Sequence, residues 1–186
     1  MRLWSVPHKK FMFTLAGHGH WVRSCNFSPD LRKIVSGSDD KTVKIWDVER
    51  KKEWHTYDFG HLDIISSVKF HPEGNYVASA SYDHSIKLWD IRSQQLVQHY
   101  DAHADRVHSI AFHPSGNYLL SAGSDAKLKI WDIRKGVKAF TIYGHQGDCT
   151  AVTFSGGGDY FASGGSDNTV MIWESNFETK RNGNKL

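Results

Sequence analysis

The chain has 186 residues, of which 39% are hydrophobic and 23% charged, with a formal net charge of +3. That is enough apolar material for a buried core and excludes a disordered chain. No apolar run approaches the length of about 18 residues that spans a bilayer, and MRLWSVPHKK at the start lacks the apolar centre of a secretory signal. Lys and Arg are interspersed with 20 acidic residues instead of clustering on one face. Neither a membrane nor a nucleic acid is therefore an expected partner, and the expected compartment is the cytoplasm. The basic runs ERKK and ETKRNGNKL are read as a solvated loop and a flexible tail.

Taken in chain order, residues 1–16 hold a short strand around Trp4 and a second one, FMFTL, the last two strands of a unit whose first half is absent. Four further units follow. Each opens on a His (His18, His61, His103, His145) and carries a Trp in its third strand (Trp46, Trp89, Trp131, Trp173). Both series repeat every 42 or 43 residues, and Trp4 lies one period ahead of Trp46. The expected units are 17–59, 60–101, 102–143 and 144–177, the last without a fourth strand, with 178–186 as the tail. A period of about 40–45 residues built from short strands reads as β-propeller blades of four strands each. The predicted fold is all-β, with three complete blades and two partial ones.

Within each unit, strand a ends at Phe27, Phe70, Phe112 or Phe154, and a turn follows: SPDL, HPEG, HPSG or SGGG. Gly at the end of such a turn permits positive φ, so Leu31 in the first copy predicts either another turn shape or backbone strain. Strand b follows as KIVSG, YVASA, YLLSA and YFASG, and strand c as TVKIWD, SIKLWD, KLKIWD and TVMIWE. Strand d (EWHTY, LVQHY, KAFTIY) is looser, as an outer strand should be. Internal alignment puts Cys149 where other units have Val or Ile, and Cys25 likewise. Both are predicted to be small core hydrophobes, and no metal or cofactor is expected.

Each unit also carries Ser, His and Asp, the components of a nucleophilic triad: His18, Ser36, Asp40 with Trp46; His61, Ser79, Asp83 with Trp89; His103, Ser121, Asp125 with Trp131; and His145, Ser163, Asp167 with Trp173. A catalytic group is normally built once, and no oxyanion device accompanies any copy, so no enzyme activity is expected. The quartets resemble those of the WD-repeat family, whose pattern implies a brace in which Asp holds the His ring, His contacts Ser, and Ser reaches the Trp indole. Closure in that family implies a seven-bladed ring, completed by a strand from the far end of the chain. The present sequence is expected to be the last part of such a ring. Closure as four blades, with FMFTL as the missing strand, and self-association through exposed blade faces stay open as alternatives.

The closing stretch, YGHQGDCTAVTFSGGGDYFASGGSDNTVMIWESNF, resembles the Poc family of centriole and basal-body WD-repeat proteins. That resemblance implies a scaffold in centriole or basal-body assembly and cilium biogenesis, at the cytoskeleton near the microtubule wall, with centriolar components and tubulin as partners. A substrate receptor of a ubiquitin ligase and a subunit of an RNA-processing complex are the alternatives. Positions that vary between units are free to recognise a partner. The candidates are Trp21, Ile64, Arg106 and Asp148, three residues after each His, and Asp39, Tyr82, Ser124 and Ser166, just before each quartet Asp. Rings that merely cover a blade edge would leave the same pattern.

Overall fold

A computed structural model describes residues 1–176; the tail 178–186 and Phe177 of the closing SNF lie outside the described residues. The described chain is all-β. β1 (Arg2–Ser5) and β2 (Lys10–Thr14) form a two-stranded sheet. Three four-stranded antiparallel meanders follow. The second sheet contains β3 (Val22–Phe27), β4 (Lys33–Ser38), β5 (Val43–Asp47) and β6 (Lys52–Tyr57). The third contains β7 (Ile65–Phe70), β8 (Tyr76–Ser81), β9 (Ser85–Asp90) and β10 (Gln95–Asp101). The fourth contains β11 (Val107–Phe112), β12 (Tyr118–Gly123), β13 (Lys127–Asp132) and β14 (Val137–Tyr143). A three-stranded fifth sheet, β15 (Cys149–Phe154), β16 (Tyr160–Gly165) and β17 (Val170–Glu174), ends the described chain.

The strands pair in the same register from sheet to sheet. A register shift recurs near the start of each strand a, between Val22 and Ser24, Ile65 and Ser67, Val107 and Ser109, and Cys149 and Ala151. Such bulges steepen the local twist, which lets consecutive sheets splay as blades. The blades pack face to face. Val35, Val43 and Ile45 of the second sheet meet Ile65, Val68 and Phe70 on β7 in one apolar cluster. The next junction sets Ala78, Ala80, Ile86 and Leu88 against Val107 and Ile110, and the last sets Leu120, Ala122, Leu128 and Ile130 against Cys149 and Val152. The approach is close enough that a Cβ on Gly37 would lie 2.4 Å from Ile65.

Cys149 is buried in this way, but Cys25 is exposed, contrary to the expectation from its alignment with Val68 and Ile110. The cause is local. β1 and β2 cover the outer part of the second sheet, where Leu15, Ile34 and Trp46 pack with Leu3 and Phe13. Among the described residues no strand lies over β3, so Val22, Cys25 and Phe27 face outward together. At the other end Val170 and Ile172 are each 76% exposed. β2 pairs with β1, and β17 pairs with β16 alone among the described residues, so FMFTL does not complete the fifth sheet.

The first a–b turn keeps the shape of the others. Leu31 has φ 61°, beside 78°, 76° and 87° at Gly74, Gly116 and Gly158, and its N–H reaches Ser28 O at 2.9 Å much as Gly74 N–H reaches His71 O at 2.8 Å. Of the two expectations for Leu31, strain is the one realised. An L residue in the left-handed region costs about 1–2 kcal/mol. Leu31 is 66% exposed, so little packing would go with its side chain. Leu31→Gly is expected to raise unfolding stability by about 1 kcal/mol, after the larger backbone entropy of Gly is set against the relief. A denaturant midpoint that stays put or falls would show that no strain is stored there.

Candidate functional site

Each quartet is assembled from four different pieces of one sheet: a loop before strand a, the middle of strand b, the b–c turn and strand c. In the second sheet His18 Nδ1 lies 2.8 Å from Asp40, its Nε2 lies 2.7 Å from Ser36 Oγ, and Trp46 Nε1–H donates to the same Oγ at 2.8 Å. The third sheet repeats these values, 2.8, 2.7 and 2.8 Å, with His61, Asp83, Ser79 and Trp89. The fourth gives 2.8, 2.8 and 3.0 Å for His103, Asp125, Ser121 and Trp131. The fifth gives 2.9, 2.8 and 2.9 Å for His145, Asp167, Ser163 and Trp173.

Counting donors fixes the chemistry. The carboxylate can only accept, so His donates from Nδ1, and its bare Nε2 accepts the Ser hydroxyl, whose oxygen takes the indole N–H. Each Asp also accepts backbone N–H groups, from Gly19 and Thr42 in the first copy and from Leu62 and Ser85 in the next. The hydroxyls of Thr42, Ser85 and Thr169 add a further bond each, at 2.7, 2.6 and 2.7 Å. These residues stand two places after each Asp, and that recurrence was visible in the sequence; Lys127 is the exception.

Burial sets the charge states. The four imidazoles are 4%, 0%, 0% and 0% exposed. Burial pushes His18, His61 and His103 below the ordinary imidazole range, more than the neighbouring Asp pulls them back. Burial alone would raise Asp40, but the hydrogen bonds from Thr42, His18 and the backbone outweigh it and bring its carboxyl down to about 2. Asp83, Asp125 and Asp167 are lowered too. In the His18, His61 and His103 braces a neutral imidazole thus meets an ionised carboxylate. The serine is fully enclosed and its oxygen already accepts the indole proton, so no substrate can reach the would-be nucleophile.

The varying positions form a rim beside the braces. Backbone bonds of 2.9 Å hold them in pairs: Asp39 with Trp21, Tyr82 with Ile64, Ser124 with Arg106, and Ser166 with Asp148. Trp21 is 69% exposed. Asp39 is not free to meet a partner, because Arg23 clamps its carboxylate at 2.6 and 2.7 Å and leaves it 6% exposed. Arg23 stacks over Trp21 at 5.2 Å, and Arg106 over Tyr82 at 5.1 Å. His108 packs edge-on to Tyr82, bonds Ser124 Oγ at 2.7 Å and lies 3.7 Å from Asp148. Arg23 and His108, two positions past Trp21 and Arg106, were missed in the sequence although that position varies as well. The strongly exposed Phe59 and Leu62, which flank Gly60 and His61, escaped notice too.

Strands, register and repeated quartets define a β-propeller repeat protein. The chain matches the WD domain, G-beta repeat family at residues 9–47, 52–90, 94–132 and 136–174, and belongs to that family. Each match runs from strand d of one sheet to strand c of the next. The chain is 36% identical over 53 residues to "Lissencephaly-1 homolog 1" of Paramecium tetraurelia, a segment that is 28% of this chain and 13% of that protein. It is 39% identical over 51 residues, 27% of the chain and 11% of the relative, to "Nuclear distribution protein nudF 2" of Penicillium rubens. With "Vegetative incompatibility protein HET-E-1" of Podospora anserina it shares 62% over 34 residues, 18% of the chain and 2% of the relative. The matched segments thus span only a small part of these curated relatives.

Two outcomes follow from the braces. Asp83→Ala should lower stability by about 1–3 kcal/mol, because the buried His61 Nδ1–H loses its carboxylate and keeps only the longer contact to Ser85 Oγ at 3.3 Å; an unchanged thermal midpoint would refute a bracing role. The second concerns acid. Between the ordinary value of 6.5 and the lowered values of His18, His61 and His103, the unfolded chain binds protons that the folded chain refuses, so stability falls as pH drops through this window. Below 3.8 the carboxylates add to the loss down to about 2, the folded value of Asp40. Each such proton contributes about 1.4 kcal/mol per pH unit, and a denaturant midpoint unmoved from about pH 7 to pH 5 would contradict the neutral imidazoles.

Proposed function

We propose that this chain is a non-catalytic protein-interaction scaffold, with the rim of Trp21, Tyr82, Arg106 and their neighbours as its docking surface. One observation carries the reading: the Ser, His and Asp of every triad-like quartet are consumed in four matching braces, while the positions beside them differ from sheet to sheet and put aromatic and Arg side chains at the surface. Tyr, Trp and Arg are the residue types that dominate binding energy at protein interfaces. The finer reading places the scaffold in centriole or basal-body assembly, near the microtubule wall. Its support is the resemblance of the closing segment to the Poc family. Of the relatives named above, the Penicillium rubens protein carries a name that refers to nuclear distribution. The view of the five sheets as an arc of a seven-bladed ring belongs to the same proposal.

The double variant Trp21→Ala, Tyr82→Ala tests the rim. It should weaken partner capture by about 2 kcal/mol or more while leaving the unfolding midpoint in place, since neither ring belongs to a brace. Unchanged capture would remove the rim from consideration. Proteins recovered with the unaltered chain test the finer reading: centriolar proteins and tubulin support it, whereas cullin adaptors or ribonucleoproteins would replace it.

A further inference from the structure

One cluster of titratable side chains lies outside both the braces and the rim. At the position two residues before the strand-c Trp, the four units carry Lys44, Lys87, Lys129 and Met171. The three lysines are differently housed. Lys44 donates to Glu53 and to Thr56, each at 2.8 Å. Lys129 donates to Ala102 O at 2.6 Å and has Asp125 at 3.8 Å. Lys87 donates instead to the imidazole of His99, its cross-strand partner on β10, at 2.6 Å from Nδ1. His99 turns its other nitrogen to Asp101, at 3.1 Å. Among the described residues, no carboxylate oxygen lies within ion-pair distance of Lys87.

An amine against a base, with that base oriented by a carboxylate, is the arrangement of an activated nucleophile. We propose that Lys87 is a site of covalent acylation by small thioesters, with His99 as its proton acceptor and Asp101 as the group that orients His99. In the step, the Lys87 ammonium gives one proton to His99 Nδ1, and the imidazole releases its Nε2 proton past Asp101 to solvent. The free Nζ attacks the thioester carbonyl carbon, a C–N bond forms and the C–S bond breaks. The second proton leaves the nitrogen with the departing thiolate, so the products are an amide and a thiol. Burial lowers the ammonium of Lys87 and also that of Lys129, but of the two only Lys87 donates to an imidazole. Asp83 and Asp101 oppose that lowering, and His61 is the remaining titratable group close by.

Access limits the donor. Lys87 is 9% exposed, whereas the His99 side chain, on the outer strand, is 42% exposed. A small donor can enter over β10, and a bulky one is excluded. The experiment incubates the whole chain with S-acetyl-N-acetylcysteamine and follows each lysine by peptide mass spectrometry. Lys87 is expected to acetylate at least about tenfold faster than Lys44 or Lys129, the lower end of what a positioned base contributes being larger still. His99→Gln, at a half-exposed position, should bring the rate down to theirs with the unfolding midpoint unchanged. Lys87→Met, a residue already native at Met171, should abolish the signal and keep the fold. A rate at Lys87 no higher than at the other two lysines, or one indifferent to His99→Gln, would overturn the proposal.

Discussion

One hydroxyl in each of the four larger sheets holds the architecture together. The Ser in the middle of strand b accepts the indole N–H of strand c and donates to an imidazole delivered by the loop before strand a, which the turn carboxylate holds from the far side. Four chain segments thus meet on an oxygen that water does not reach. Remove any member and a buried donor or acceptor is left over, and that penalty exceeds the modest net worth of the bond itself. Satisfaction is complete: among the described residues no buried side-chain nitrogen or oxygen lacks a partner. The brace orients each sheet so that its apolar faces point at its neighbours.

Between sheets the forces change character. The junctions are apolar, but polar groups seal them at intervals. Ser24 accepts Val68 N–H, Ser67 accepts Ile110 N–H and Ser109 accepts Val152 N–H, so strand a of one sheet is pinned to strand a of the next. At the opposite end, His71 donates to Gly116 O at 2.9 Å and His113 to Gly158 O at 3.2 Å. These contacts link nearest neighbours only, as in other repeat architectures, where stability is close to a sum over units and junctions. The exposure of Cys25 follows from that rule. Its side chain is of the same kind as Val68 and Ile110 one and two units on, and it lacks the neighbour that buries them.

Most of this was legible because repetition turns one sequence into four observations. The period, the strands and the quartet members all emerge from aligning the chain with itself. Part of what escaped is conformation that leaves little mark in residue type. Lys41, His84, Ala126 and Asn168 all take positive φ in the b–c turn, and Lys9, Lys51 and Gln94 do so in the c–d turn. Of these only Asn168 and His84 are types enriched in that region, and Gly136 is the single Gly at the corresponding place in a c–d turn, so Gly marks the a–b turn far better than the other two. The fate of Asp39 was hidden for a different reason. Its neutralisation depends on Arg23, sixteen residues away in sequence and adjacent only once β3 and β4 pair.

The Ser-His-Asp pattern shows how burial separates a brace from a catalyst when the residue types are the same. In both, a carboxylate fixes an imidazole tautomer and the bare nitrogen faces a hydroxyl. A nucleophile must keep a lone pair and a path for substrate, whereas here the indole occupies one and the packed junction closes the other. Lys87 sits in the same sheet as the His61 brace and differs in the respect that matters. Its partner His99 lies on the outermost strand, with its far side open to solvent, so a proton taken from the amine has somewhere to go. Exchange with solvent, closed to the quartets, is open at this outer strand.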